Sequence, residues 1–192
     1  DGDIFRAYYR GIREAGEDGG NAEVTCYAES KDGITWVKPN LRLFNVDGTL
    51  DNNVILANAA PLSHNFSPFL DSNPDAKPNQ KYKALAGVQK SGLISFTSPD
   101  GIHWEKLQEN PVFTDGVFDS QNVSFWSESE KKYVCYFRSW TGEGYSGFRG
   151  VSRTTSMDFI HWTEPKKMTY GSSPLEHLYT QQTSPYYRAP QI

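Results

Sequence analysis

The sequence predicts an all-β chain of propeller type, with about three four-stranded blades in its 192 residues. Three observations support this reading. One short motif recurs as Ser30-Lys31-Asp32-Gly33-Ile34-Thr35-Trp36, Ser98-Pro99-Asp100-Gly101-Ile102-His103-Trp104 and Ser156-Met157-Asp158-Phe159-Ile160-His161-Trp162, its tryptophans 68 and 58 residues apart. Each copy closes a strand-like run, Glu23 to Glu29, Gly92 to Thr97 and Gly150 to Thr155. No segment carries a convincing helical period beyond two turns. Self-similarity at such a spacing marks solenoids and propellers, and strand-built units of this length fit blades around a channel.

Setting the three tryptophans in register places the remaining elements. A second strand precedes each motif strand: Asp3 to Arg10, Lys81 to Gly87 and Lys132 to Arg138, aromatic and alternating as strands packed face to face are. A third, innermost strand precedes two of these, Asn65 to Leu70 and Gln121 to Trp126. The second unit is expected to finish with an outer strand near Pro111-Val112-Phe113. Gly11 to Gly19 is polar and Gly-rich and reads as a hairpin loop. The first unit shows no inner strand, and Ser184 to Ile192 reads as a fourth inner strand cut short. The units are expected at about 1–60, 61–115 and 116–170, with a further blade starting at 171–192. Three blades do not close a ring of typically 4–8, so the chain reads as an open arc or fragment, completed by a longer protein or by another chain.

Composition narrows the function classes. The net charge is −4 and the Lys and Arg residues are scattered, so nucleic acid is not an expected partner. No apolar run approaches the roughly 20 residues of a membrane span. Cys26 and Cys135 lie in apolar strand patterns without metal-ligand spacing, and they read as buried thiols. Asn65-Phe66-Ser67 and Asn122-Val123-Ser124 match the glycosylation pattern but fall on inner strands, where a chance match is the better account.

In the motif, Ser and Asp accept backbone hydrogen bonds, Gly permits a positive φ and Trp covers the space between sheets, which is a structural task. It is one residue shorter than the Ser-X-Asp-X-Gly-X-X-Trp turn of sialidases. It resembles the Ser-X-Asp-hydrophobic-X-X-Trp turn of the five-bladed propellers of glycoside hydrolase families 32, 43 and 68, the copy at Ser156 to Trp162 most closely. Asn65 to Asp71, Phe118 to Val123, Leu178 to Thr183 and Tyr187 to Pro190 extend the resemblance along the chain, as in an uncharacterised bacterial branch of that superfamily. It implies a secreted or periplasmic glycosidase degrading oligo- or polysaccharide through two opposed carboxyl groups, with catalytic acids at inner-strand entrances. It implies no cofactor, with room for a calcium ion in the channel, and no other metal.

On that basis Asp119, at the entrance of the third inner strand, is the first catalytic candidate, by location the transition-state stabiliser. The family's flanking Arg-Asp-Pro pattern is absent, and a turn-capping role competes with the functional one. Glu176, before the last inner strand, is the candidate general acid, although a solvated loop carboxylate accounts for it equally. Gln121, Asn122 and His177 supply groups suited to sugar hydroxyls, and Arg188 could hold a carboxylate or sulfate. Asp71, Asp47 and Asp51 read as turn residues. His64 and Asn65 stand where the hydrolases place an acid, which favours a second reading, a non-catalytic carbohydrate-binding propeller. A protein-interaction propeller lacks the expected Gly-His and Trp-Asp signatures.

Overall fold

The computed structural model describes residues 2–186 and 188. Those residues form three antiparallel sheets and, apart from a 3-10 turn at Pro78–Gln80, no helix. The first sheet runs β1 (Phe5–Ile12), β2 (Glu23–Ser30), β3 (Val54–Leu56). The second runs β4 (Ser67–Leu70), β5 (Tyr82–Ala86), β6 (Ile94–Ser98), β7 (Glu105–Lys106), and the third β8 (Val123–Ser127), β9 (Lys132–Trp140), β10 (Arg149–Ser156), β11 (Lys166–Lys167). Strand order follows chain order in every sheet. The first sheet starts directly on the strand equivalent to β5 and β9. Its β1–β2 hairpin closes through 13–22, overlapping the loop expected at Gly11 to Gly19, of which Gly11 and Ile12 instead pair in β1.

Three placements differ from the sequence reading, the first being β3, which forms where no strand is expected. The outer strand of the second sheet is β7 at Glu105–Lys106, paired to Phe96 and Thr97, while Phe113 makes only an isolated bridge to Leu93. An exposed two-residue strand with two charged side chains has no alternation to read. No strand forms over 184–186, and 187 and 189–192 of the expected fourth inner strand lie outside the described residues.

The sheets stack through their side-chain faces. Tyr27, Ile55, Phe66, Ala84, Ala86 and Phe96 form the core between the first and second sheets, and Leu85, Leu93, Phe118, Tyr133, Phe137 and Phe159 that between the second and third. β5 is buried along its whole length because its alternate residues serve both cores. One of them is Lys83, whose ammonium pairs with the buried Asp71 carboxylate, while Tyr133 Oη donates to Asp71 Oδ2 at 2.8 Å from the next sheet. Burial, reinforced by that carboxylate, pushes the Tyr133 phenol above its ordinary pKa. Asp71 also accepts from Asn73 N at 3.0 Å, the expected turn, but its ion pair was not legible as such. Both cysteines are free and buried, as expected.

The three motif copies fold alike. Each Ser Oγ accepts from the backbone N–H three residues on, at 2.8–2.9 Å, and each Asp Oδ1 accepts from the N–H groups two and three residues on, at 2.7–2.9 Å. Gly33 and Gly101 take positive φ, and Phe159 takes the same conformation at φ 66° with its ring fully buried. The second and third turns lean on the sheet before them. Trp104 meets Tyr8 of β1, and the Phe159 ring meets Phe69 of β4. Trp36, with no sheet before it among the described residues, remains 42% exposed.

The backbone donors of Thr35 and Ile34 hold Asp32 near a pKa of about 2. Burial pushes Asp100 upward, but the His103 N–H and ring outweigh it and leave the group at about 2. Burial likewise opposes the donors on Asp158, which still lies well below the usual carboxylate range. A depressed carboxylate contributes stability that is present above the unfolded value, about 4, and is lost as pH falls through the folded one. Wild-type stability is therefore expected to drop steeply between pH 4 and 2. A triple Asp32→Asn, Asp100→Asn, Asp158→Asn variant should be weaker at neutral pH and flatter over that window. Urea unfolding at several acidic pH values measures both slopes, and equal slopes would remove these turns as the acid-sensitive elements.

Candidate functional site

Strand register separates two rims. The hairpins at 13–22, 87–93 and 141–148 close at the ends of the sheets where β4 and β8 begin, because Ser67 pairs with Leu85 and Val123 with Tyr136. The inner-strand entrances therefore share one rim with these hairpins, and Tyr145 Oη donates to Gln89 Oε1 at 2.8 Å between two of them. The motif turns follow the far ends of β2, β6 and β10, on the opposite rim.

Asp119 enters β8 from Phe118, a fully buried residue held at φ 53° with its ring against Phe113 and Phe137. Gly116 makes room for that ring, since a Cβ there would lie 2.3 Å from it. A bulky side chain at positive φ is costly, so packing fixes the backbone just before the carboxylate. Asp119 Oδ2 lies 3.0 Å from Arg138 Nη1, and Oδ1 is buried without a protein partner. The Arg138 guanidinium, itself buried, also donates to the Tyr179 carbonyl and stacks on its ring at 4.8 Å. On the same ring, at 5.1 Å, lies Arg149, which stacks in turn on Trp140 at 4.5 Å.

Glu176 is exposed and lines a cavity of about 550 Å³ together with Trp140, Phe148, Arg149, Lys167 and Tyr170. Asp119 is not among the lining residues, so the two candidate carboxyls do not meet in that cavity. The stack of Arg138, Tyr179 and Arg149 connects their surroundings. His177 Nδ1 accepts from Arg149 N at 3.1 Å and its ring rests on Phe148 and Trp140, which pins the 175–178 segment to the start of β10.

His64 and Asn65 sit at the first-to-second sheet boundary. His64 Nδ1 lies 3.1 Å from both oxygens of Glu23, a buried carboxylate that also pairs with Arg10 at 3.4 Å. Arg10 Nη2 donates to Asn65 Oδ1 at 3.2 Å, and Asn65 Nδ2 donates to the Phe118 carbonyl at 3.2 Å. A continuous set of polar contacts thus runs from Glu23 to the residue preceding Asp119. Asp18, Glu23 and His64 bring three donor atoms within 4.8 Å of one another. The Arg10 guanidinium, 3.8 Å from Asp18 and 3.4 Å from Glu23, already supplies the positive charge a metal would bring there.

Gln121 donates to Ser67 Oγ at 3.4 Å, linking β8's entrance to β4, and its side-chain oxygen accepts from Gln182. Asn122 is fully buried with neither amide atom partnered by protein. Arg10, Asn65 and Gln121 also line a smaller cleft of about 170 Å³. Arg188 lies exposed in a turn. Sequence reasoning passed over Glu23, Arg10, Arg138 and Arg149. Arg138 could have been found by running the β8–β9 hairpin register back to the inner-strand entrance.

No protein-family model and no curated protein matches the sequence. Solved structures do match. A fructofuranosidase from Schwanniomyces occidentalis, complexed with fructose, is similar with a TM-score of 0.56 and 14% identity over 88% of this chain and 32% of its own. An N-acetylgalactosamine deacetylase from F. plautii, in complex with blood group B trisaccharide, is similar at 0.53 and 21% over 83% of this chain and 48% of its own. A glycosyl hydrolase from Bacteroides ovatus is similar at 0.50 and 17% over 86% of this chain and 48% of its own. The chain shares a propeller-type fold with these structures. At these identities the likeness extends to the fold alone. The propeller chain spans about half the length of two of these structures and about a third of the fructofuranosidase.

Proposed function

We propose that this propeller belongs to a glycoside hydrolase acting on oligo- or polysaccharide through two opposed carboxyl groups, with Asp119 as the carboxylate that stabilises the transition state. The observation that carries the reading is the setting of Asp119: a rigid, αL-anchored backbone at an inner-strand entrance, a carboxylate held by a buried guanidinium, and the Asn122 amide nearby without a protein partner. Preorganised charge of this kind acts where charge develops in the reaction. A carboxylate tied to Arg138 suits a fixed electrostatic role, and Glu176 is the candidate proton donor by its place before the last inner strand. The opposing carboxyl is assigned to a blade beyond these three sheets, in keeping with the share of the similar structures that the chain spans. Glu23 is buried and engaged by His64 and Arg10, which keeps it from a sugar.

Release of reducing sugar from plant and algal oligosaccharides by the full-length protein tests this. Asp119→Asn is expected to lower kcat by about 10²–10³-fold, with retained fold by circular dichroism. Turnover that survives Asp119→Asn rules out the assignment. A carbohydrate-binding propeller without turnover is the second reading, favoured by the buried His64 and the amide of Asn65 standing where the hydrolases place an acid. Ligand-induced chemical shifts with no product would establish it.

A further inference from the structure

We infer that the cavity beside the β9–β10 hairpin takes an acidic saccharide, a sugar unit bearing a carboxylate or a sulfate, with Arg149 as the group that recognises the anion. The inference rests on the carbohydrate-acting reading above and concerns the chemical class of the ligand.

Volume and wall chemistry set the scale. About 550 Å³ lies within the range of small-molecule sites, and Trp140, Phe148 and Tyr170 supply the flat apolar surfaces on which the C–H faces of a sugar ring rest.

The charge in this wall lacks a carboxylate partner among the described residues, as Arg6 also does, although Arg6 donates to Tyr27 Oη at 2.8 Å. Arg10, Arg13, Arg42, Arg138 and Arg153 each meet a carboxylate within 4.0 Å. Arg149 meets none among the described residues. Its guanidinium is instead stacked between Trp140 and Tyr179, and its Nε is buried without a partner. Stacking fixes the plane of the guanidinium, and its terminal Nη donors, which make no protein hydrogen bond among the described residues, are left for carboxylate or sulfate oxygens. A cation partly withdrawn from water without a counter-ion is costly, and an anionic ligand removes that cost.

The surrounding charges agree. Lys167 lines the same cavity with its Nζ 3.4 Å from the Thr141 carbonyl, so two cations face the single carboxylate of Glu176. The position of Arg149 is secured from both sides by backbone contacts with the covering segment, Arg149 N to His177 Nδ1 at 3.1 Å and Leu178 N to Arg149 O at 3.0 Å. The cationic group is therefore held ready before a ligand arrives, which limits the ordering cost of binding.

Isothermal titration of the full-length protein with trigalacturonate, its fully methyl-esterified form and a sulfated galactose trisaccharide tests the inference. An acidic form is expected to bind at least about tenfold more tightly than the neutral ester, as loss of a charge-assisted hydrogen bond implies. Arg149→Met should remove that difference, and Arg149→Lys should keep part of it. Tighter binding of the uronate or of the sulfate identifies which anion the site selects. If Arg149→Met does not fold, the wild-type protein still decides: the acidic ligand's affinity should fall on raising salt to about 0.3 M and the ester's should not. Equal affinity for acid and ester overturns the inference and leaves the carbohydrate reading standing. If none of the three saccharides binds, both fall.

Discussion

Replacing Lys83 by methionine is expected to lower the unfolding free energy by about 3–5 kcal/mol, because it strands the Asp71 carboxylate inside the protein without its cation. The ammonium and the carboxylate are both almost wholly shielded from solvent, and the remaining donors to Asp71 are Tyr133 Oη and the Asn73 N–H. For a domain of this size that loss corresponds to a fall in Tm of about 6–20 °C. Adding Asp71→Asn removes the stranded charge and keeps an acceptor for the Asn73 N–H, with Tyr133 Oη turned to accept from the new amide, so the double variant should be more stable than Lys83→Met alone. A urea double-mutant cycle reads the coupling directly. A single variant within about 1 kcal/mol of wild type would mean that solvent reaches the pair and that it does not hold the second and third sheets together.

The second large effect concerns Phe159, which stands in the third motif where the first two have Gly33 and Gly101. Its ring is fully buried against Phe69, Tyr133 and Trp162, yet its φ of 66° is a conformation that L side chains avoid. Phe159→Ala loses the ring and keeps the strained backbone, with an expected cost of about 3–5 kcal/mol. Phe159→Gly loses the same ring but relieves about 1–2 kcal/mol of αL strain, less a glycine entropy cost of about 0.5–1 kcal/mol. The glycine variant should therefore unfold at higher urea than the alanine variant, the reverse of the usual order within regular structure. The opposite ranking would show that the turn relaxes when the ring is removed.

These two sites also show what a single sequence discloses. The blade repeat was legible because three copies of one turn must place the same Ser and Asp atoms against the same backbone donors, and that demand leaves residues at fixed offsets. The strand faces were legible where aromatic and polar residues alternate, as in Lys132 to Arg138. Lys83 was not, since in a strand buried on both faces a lysine looks like one more alternating polar residue, and its partner Asp71 looked like a turn. β7 and β11 escaped because two exposed charged residues in each carry no period. At the candidate site Asp119 was legible as a carboxyl at a strand entrance. Arg138, which orients it, lies 19 positions further on and becomes visible only through hairpin register. Arg149 belongs to the same class, since its stacking on Trp140 and Tyr179 joins a strand to a segment 30 residues downstream.

The opposed rims separate two kinds of sequence change. Every hydrogen bond of the three Ser-Asp turns lies at one end of the sheets, whereas Asp119, Glu176, Arg149 and the three hairpins lie at the other. Residues of the 87–93 and 141–148 hairpins can be exchanged, lengthened or given new charge without touching a turn that anchors one sheet on the next. Ligand preference and structural integrity are thus inherited through different residues, and selection can alter the first while leaving the second intact.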